Sequence, residues 1–187
     1  MSIFTNPASR SKEEAKAYTA AILVLLGTQR PLTVLGGTAG KLRKSVARLS
    51  TRQLRKREAP GKWSIAHVLQ HLVDSESVWT WRMRLILAQD RPTLTGYDQD
   101  AWADRLGYDK TKAAHALAEF AILRDANLRL LSRASPQDMQ RVGVHSERGE
   151  ESVEHLMKLY AGHDILHLNQ IKRIRDAIAA NATVTAR

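Results

Sequence analysis

The chain of 187 residues contains no cysteine. Disulfide bonds, thiolate metal ligands and a cysteine nucleophile are therefore excluded. Long apolar runs are missing as well: the longest one near the start, Ala20 to Leu26, is too short to span a bilayer. It follows Glu13, Glu14 and Lys16, which does not fit the pattern of a signal peptide. We therefore expect a cytoplasmic protein built as a single domain over residues 1–187, with its core between about 11 and 180.

The stretch from Lys41 to Arg57 has no acidic residue and holds much of the net charge of +10. Its basic side chains, here called the basic stretch, are Lys41, Arg43, Lys44, Arg48, Arg52, Arg55, Lys56 and Arg57. Such a stretch could contact phosphates, or it could form the solvated face of a helix. We favour the solvated face, because no aromatic residue lies among these basic residues and the chain has no recognition-helix or RNA-binding signature. Nucleic-acid binding is therefore not expected.

The spacing of apolar residues predicts helices over almost the whole chain. Local signals mark their ends: Ser11-x-x-Glu14 forms a capping box, Gly27 is a C-terminal stop, and Ser64 is an N-cap. Pro31 and the pair Gly36-Gly37 are expected to break the chain before the second helix. The predicted helices cover residues 11–27, 38–49, 64–88, 110–132 and 152–180, with a short helical turn over 136–139.

No segment shows a convincing strand pattern. Residues 89–106 are predicted to form a long loop with one helical turn, and residues 142–150 a charged loop. Long helices joined by such loops predict an all-α fold, a four-helix bundle with short extra helices. Bundles of this kind commonly build metal sites from side chains on facing helices.

Two pairs of histidines are spaced four residues apart, His67 with His71 and His163 with His167. Residues at this spacing project from the same face of a helix, so two packed helices could aim three or four imidazoles at one point. Neutral imidazole is the commonest protein ligand for zinc, nickel and related ions. His71, His163 and His167 have apolar neighbours, and an unpaired imidazole in a bundle interior would be costly. A shared metal ion explains the pattern better than chance does.

The remaining histidines have simpler interpretations. His115 and His145 are expected to be ordinary surface residues, and His155 a residue of the capping region at the start of the last helix. For any single pair of histidines four apart, chance and surface placement would also be the more frequent explanation.

The residues around the histidine pairs carry a family resemblance. The first segment is Gly61-Lys62-Trp63-Ser64-Ile65-Ala66 followed by His71-Leu72-Val73-Asp74-Ser75-Glu76, and the second is Ala161-Gly162-His163-Asp164-Ile165-Leu166-His167-Leu168-Asn169-Gln170-Ile171. Together with the loop Gly96-Tyr97-Asp98-Gln99-Asp100-Ala101-Trp102, they resemble the signatures of the DinB/YfiT-like superfamily. The lineage is the DNA-damage-inducible one, not the polymerase that shares the name. The resemblance extends over about residues 15–178.

The resemblance implies a fold, a metal site and an assembly. The fold is a four-helix bundle with a long crossover connection, and members frequently dimerise, so a homodimer is expected. In this family one histidine of the first segment and both of the second bind a divalent ion, usually nickel or zinc. Carried onto this sequence, the ligands are His71, His163 and His167.

His67 departs from the family pattern, because relatives commonly have Glu or another polar residue at that position. It could be a fourth ligand, or it could face solvent at the start of its helix. Its place near the first helical turn and the three-histidine pattern of the family favour the second possibility.

Three neutral ligands leave an ion with its full charge and an open coordination position, as in catalytic sites. Such an ion lowers the pKa of a bound water or thiol. The chain is therefore expected to be a metal-dependent hydrolase, or a transferase that moves a low-molecular-weight thiol onto a small electrophilic substrate. The family includes thiol-dependent S-transferases and isomerases, which supports the second activity by analogy. The alternative is a non-catalytic module with a structural metal, whose basic face contacts an acidic partner or nucleic acid.

Three carboxylates lie beside the predicted ligands in the sequence. Asp74, one turn beyond His71, could orient a ligand or accept a proton, or it could be a surface carboxylate paired with a basic neighbour. Asp164 points away from His163 on the helical wheel and is expected to be structural. Glu76 also points away from His71, so it is not expected to be a ligand.

Overall fold

The computed structural model describes residues 12–185, with side chains from residue 13 to residue 180. The helices are α1 (Lys12–Leu26), α2 (Pro31–Val46), α3 (Thr51–Arg55), α4 (Ile65–Ala88), α5 (Gln99–Arg105), α6 (Ala113–Leu131), α7 (Pro136–Gln140) and α8 (Val153–Thr185), with a 3-10 turn at Tyr108–Lys110. The strands are β1 (Thr93–Leu94), β2 (Val142–His145) and β3 (Gly149–Ser152).

Four of the long helices form the predicted bundle. Helix α4 packs against α6 and α8, and α2 packs against the same two helices. Helix α1 lies along α8. The connections after α4 and after α6 carry the strands and all the short helices except α3. The prediction of a helical bundle is therefore confirmed.

Helices α1 and α2 meet at a sharp bend of 85°. Only as a pair do they reach the length and hydropathy of a membrane span, and no single helix in the described part of the chain does so.

Helices α4 and α8, which carry the two histidine pairs, begin where side-chain caps satisfy their free backbone amides. Ser64 Oγ accepts a hydrogen bond from the backbone N–H of His67, and Ser152 Oγ accepts one from the backbone N–H of His155. Helix α8 continues five residues past its predicted end, to Thr185. Ser11, the first residue of the predicted capping box, lies outside the described residues.

Helix α2 begins at Pro31 and not near residue 38, so the predicted break there is wrong. Proline suits the first position of a helix, because its missing N–H needs no partner there. The glycines that follow each weaken a helix by about 1 kcal/mol. A stripe of side chains buried against α6 and α8 outweighs that cost: Val34, Leu35, Thr38, Leu42 and Val46.

A three-stranded sheet is present, so the prediction of no strand and of a loop over residues 142–150 is wrong. β2 pairs in parallel with β1 and in antiparallel with β3. Gly149 begins β3 with φ +81, a conformation that glycine adopts without strain. Each of these strands has at most four residues, so an alternation of apolar and polar side chains cannot be recognised in a segment rich in charged residues. They cover the bundle where Gly143 packs closely on Leu94 and Ile86.

A buried ionic network joins the bundle helices. Arg124 on α6 donates to Glu76 on α4 (2.7 Å) and to Asp164 on α8 (2.5 Å). Thr38 on α2 donates to Asp164 over 2.7 Å. Burial alone would lower the pKa of Arg124, but the two carboxylates raise it above its ordinary value, so the guanidinium stays charged. Asp164 therefore has the structural role predicted for it, and Glu76 is held away from the histidines.

Candidate metal centre

The structure brings three of the four paired histidines together. His71 projects from α4, and His163 and His167 project from α8. The Nε2 atom of His163 lies 3.1 Å from the Nε2 atom of His71 and 3.1 Å from that of His167. One ring nitrogen from each residue lies within 4.8 Å of the other two.

The spacing of these nitrogens fits a shared ion. Two nitrogens bound to one zinc at about 2.1 Å in a tetrahedral arrangement lie about 3.4 Å apart. The distances from His163 to its two partners are close to that value. The cluster therefore has the donor type, the number and the spacing that a three-histidine metal site requires.

The three imidazoles are held in the neutral form that metal binding needs. Burial, with a smaller effect of the neighbouring rings, lowers the pKa of His71 and His163 well below 6.5. Burial also lowers the pKa of His167 to about 4. At neutral pH each ring therefore offers a lone pair to an ion.

Of the three clustered rings, His167 alone has a hydrogen-bond partner at Nδ1 among the described residues. Its Nδ1 lies 2.8 Å from Oε1 of Gln170, and because that oxygen accepts, Nδ1 carries the proton and Nε2 is free to bind an ion. The buried Nδ1 atoms of His71 and His163 have no hydrogen-bond partner among the described residues. Such supporting contacts usually strengthen metal ligation, so Gln170 is the residue that supports this site.

Two hydroxyl groups border the histidines. Ser75 Oγ lies 3.3 Å from His71 Nε2 and 3.0 Å from the hydroxyl of Tyr97, which follows β1. Burial raises the pKa of Tyr97, so the phenol keeps its proton. On the other side, the ring of Trp63 packs on His71 with centroids 5.0 Å apart. The hydroxyls of Ser75 and Tyr97 thus form a hydrogen-bonded pair that reaches Nε2 of His71.

A cavity of about 80 Å³ reaches His71 and His163. Its walls come from α1, α4, α8 and the two long connections, and they combine phenols, apolar side chains and charged groups. These include Tyr18, Ile22, Ser75, Arg82, Tyr97, His145, Glu147, Arg148, Leu159 and Tyr160. A small molecule in this cavity would lie next to two of the three clustered imidazoles.

His67 does not join the cluster, and the prediction that it faces solvent is wrong. Its side chain is 7% exposed. Nδ1 lies 2.7 Å from Ser64 Oγ, and Nε2 lies 3.3 Å from the guanidinium of Arg57. The ring is buried because the turn before α4 folds over it, and both its nitrogens contact residues of that turn.

His145 is also buried, against the prediction of a surface residue, and is 2% exposed. It lies in β2, where alternate residues point inward, and its Nε2 is 3.2 Å from Arg82. His115 is exposed as predicted, and the half-buried His155 lies in the capped first turn of α8.

Asp74 lies on α4 but contacts neither a basic neighbour nor the clustered histidines. Its carboxylate accepts hydrogen bonds from the hydroxyl of Tyr108 (2.5 Å) and from the amide of Gln70 (3.2 Å). These contacts tie the 3-10 turn to α4. Neither Tyr108 nor Gln70 is basic, so Asp74 does not form the ion pair with a basic neighbour that was one of its two expected roles.

All the side chains of the basic stretch are exposed. They lie on the second half of α2, on α3 and on the residues that join them to α4. This placement agrees with the solvated face that the sequence favours.

Sequence reasoning missed several residues of the site. Ser75 follows His71 by four residues and could have been found by the same spacing rule. Gln170 lies three residues after His167, which is also a helical neighbour. Arg82, His145 and Tyr160 reach the cavity from separate segments, and no local signal predicts their convergence.

A helical bundle in which facing helices bring three imidazoles together is typical of the bundle proteins that bind metal ions. The sequence profile of the DinB superfamily matches residues 35–171. The chain belongs to the DinB superfamily, as its sequence segments predicted.

Relatives in this superfamily carry names that refer to a metal. A protein of Oceanobacillus iheyensis named "Putative metal-dependent hydrolase OB0782" is 30% identical over 130 residues, which are 70% of this chain and 75% of that protein. "Putative metal-dependent hydrolase BcerKBAB4_2443" of Bacillus mycoides is 27% identical over 138 residues, 74% of this chain and 79% of that protein. The solved structure of YfiT from Bacillus subtilis, described as "a probable metal-dependent hydrolase with an unusual four-helix bundle topology", has a TM-score of 0.70 and 25% identity, and the match covers 76% of this chain and 84% of that one.

Proposed function

We propose that this protein is a metal-dependent hydrolase in which His71, His163 and His167 hold one divalent ion, zinc or nickel. The observation that carries the proposal is the convergence of three neutral imidazoles, with Nε2 spacings of 3.1 Å, two of which line a cavity. The names of the relatives support hydrolysis as the reaction. Three protein ligands also leave a coordination position open, as in catalytic sites.

The protein residues supply binding and orientation. When bound, a divalent ion lowers the pKa of a water molecule or a thiol at its open position. Ser75 and Tyr97 lie beside His71 and can hold a small ligand there by hydrogen bonds. The protonated phenol of Tyr97 can also donate a proton to an oxygen atom of that ligand.

The contribution of Asp74 is indirect in this proposal. Its carboxylate positions Tyr108 and Gln70, and through them the turn that packs beside Trp63 and His71. The role of Asp74 as a proton acceptor, which was predicted from the sequence, stays a prediction.

The test is a screen of ester, amide and phosphoester substrates with zinc-loaded and nickel-loaded protein, each with and without a low-molecular-weight thiol. We expect turnover that a chelator abolishes, that added metal restores, and that His163→Ala removes. Turnover that appears only with the thiol would identify the transferase activity instead. Turnover that survives complete removal of the metal would contradict the proposal.

The non-catalytic alternative has its own control. Reversal of charge at Arg48, Arg52 and Arg55 to Glu changes exposed residues away from the cavity and should leave turnover intact. If the protein is a binding module, the same variant would instead lose a salt-dependent affinity for nucleic acid.

A further inference from the structure

Arg82 shares one face of α4 with the metal centre. It follows His71 by eleven residues and Ser75 by seven, which places all three side chains close to one line along the helix. Three turns separate His71 from Arg82, about 16 Å along the helix axis. Both residues line the same cavity. A molecule in that cavity can therefore lie between the imidazoles at one end and a guanidinium at the other.

The guanidinium of Arg82 is buried without a carboxylate partner. The residue is 4% exposed, and within the described residues no Asp or Glu oxygen lies within 4 Å of it to form a salt bridge. The other two arginines of the interior differ. Arg124 binds two carboxylates, and Arg148 binds Glu151 over 2.6 Å. Burial of an unpaired charge is costly, so among the described residues Arg82 is a buried cation that lacks an anion.

Its contact with His145 strengthens this conclusion. The backbone N–H of Glu147 donates to Nδ1 of His145 over 3.1 Å. Burial, together with the charges of Arg148 and Arg82, lowers the pKa of His145 to about 3, so the ring is neutral and carries its single proton on Nε2. That Nε2–H faces Nη2 of Arg82 at 3.2 Å. Both residues line the cavity, and one acceptor oxygen beside them would satisfy both donors.

Little else in the cavity can serve as that acceptor. Arg82 Nη2 donates to the carbonyl of Thr95 over 2.5 Å, which satisfies one of its five N–H groups. The carboxylate of Glu147 also lines the cavity, but it lies against Gly96 and is part-exposed. The nearby phenols of Tyr97 and Tyr160 keep their protons, because burial raises the pKa of both, so they carry no negative charge to balance the guanidinium.

We propose that Arg82 and the Nε2–H of His145 bind the carboxylate of a small organic acid, and that this acid is the substrate class of the metal centre. That the acid is a substrate rests on the proposed hydrolase function. Binding of its carboxylate by Arg82 and His145 does not need the metal. The reacting group of the acid lies toward His71 and His163. The small volume and the phenolic walls fit a short acid chain, not a polymer.

The test uses metal-free protein, so that a bound metal cannot bind the acid. Butyrate and its uncharged analogue butyramide are titrated into chelator-treated protein, and binding is followed by the chemical shifts of Arg82 and His145 side-chain N–H groups. We expect saturable shifts with butyrate and binding of butyramide that is at least tenfold weaker, because the uncharged amide cannot form a charge-assisted hydrogen bond to the guanidinium as a carboxylate does.

Two variants locate the effect. Arg82→Met should weaken butyrate binding at least tenfold, whereas Arg84→Met, at an exposed arginine of the same helix, should change it less than twofold. Equal binding of butyrate and butyramide to the unaltered protein would overturn the proposal, and so would the absence of saturable shifts with butyrate. Because this comparison needs no variant, it decides the question even if Arg82→Met does not fold.

The outcome is distinguishable from a failure of the hydrolase proposal. If the carboxylate site fails while metal-dependent turnover is observed, only the substrate class is wrong. If butyrate binds as expected and no metal is bound, the anion site stands and the metal-dependent function is wrong.

Discussion

Gly162 packs directly against the backbone of Ile22, and this contact places α1 on α8 beside the histidine cluster. A Cβ atom at Gly162 would lie 2.6 Å from Cγ2 of Ile22 and would also collide with its backbone carbonyl. The residue that follows is His163, and Ile22 lines the cavity. Gly162 therefore sets how closely α1, which carries the cavity residue Ile22, approaches α8 next to His163.

We predict that Gly162→Ala destabilises the protein by about 1–3 kcal/mol, because the methyl group forces two backbones apart. The matched control is Gly36→Ala in α2, where a Cβ meets no atom within 4 Å. That variant should stabilise the protein by about 0.5–1 kcal/mol through the better helix propensity of alanine. Chemical unfolding measures both, and equal effects of the two substitutions would contradict the packing described.

The buried pair of Arg124 and Asp164 gives a second prediction. Asp164→Ala leaves a buried guanidinium with one of its two carboxylates and should lower the free energy of unfolding by about 3–5 kcal/mol. The control is Asp125→Ala, which removes one partner of the exposed Asp125–Arg129 pair and should cost less than about 1 kcal/mol. Similar losses from the two variants would show that the network does not hold the bundle together.

A third prediction concerns Gln170, which accepts a hydrogen bond from His167 Nδ1. Gln170→Leu should weaken zinc binding about 10–100-fold, since the loss of such a supporting contact frees the ligand ring. The exposed neighbour Asn169 is the control, and Asn169→Leu should bind zinc as the unaltered protein does. Competition with a chromophoric chelator gives the affinities. An unchanged affinity in Gln170→Leu would mean that His167 is oriented by other contacts.

The fourth prediction is a loss of stability in acid for the metal-free protein. Burial lowers the pKa of His145 from 6.5 to about 3, so the folded state keeps the ring neutral while the unfolded state binds a proton. The stability that depends on neutral His145 is therefore complete above about pH 6.5 and falls as the pH drops toward 3. We expect His145→Gln to reduce the pH dependence of unfolding between pH 7 and 5, with the remainder due to the other buried histidines, and His115→Gln, at an exposed histidine, to leave it unchanged. No difference between these variants would contradict the burial of His145.

The pair on α8 could be predicted from the sequence because the spacing of four fixes the shared face of His163 and His167 whatever the rest of the fold does. That His71 joins them depends on how α4 packs on α8, over a separation of 92 residues. No periodicity contains that information; the family resemblance, together with the place of His67 in the first helical turn, selected His71 over His67. The burial of His67 likewise depends on how the residues before α4, among them Arg57, fold back over its ring.

The remaining errors have the same cause. Gly36 and Gly37 weaken a helix locally, yet α2 forms because Leu35 and Leu42 are buried against other helices. β2 has only four residues, and one of its two pairing partners, β1, lies far away in the chain, whereas β3 follows it closely. The burial of His145 follows from that pairing, so a local pattern could not show it.

The metal content of the purified protein tests the three-histidine site most directly. Each variant is equilibrated with zinc or nickel, freed of unbound ion and measured by plasma mass spectrometry. We expect about one ion per chain in the unaltered protein, the same content in His67→Gln and His115→Ala, and little metal in His71→Ala or in the double variant His163→Ala/His167→Ala. One ion per chain in the double variant, or no bound ion in the unaltered protein, would contradict the site.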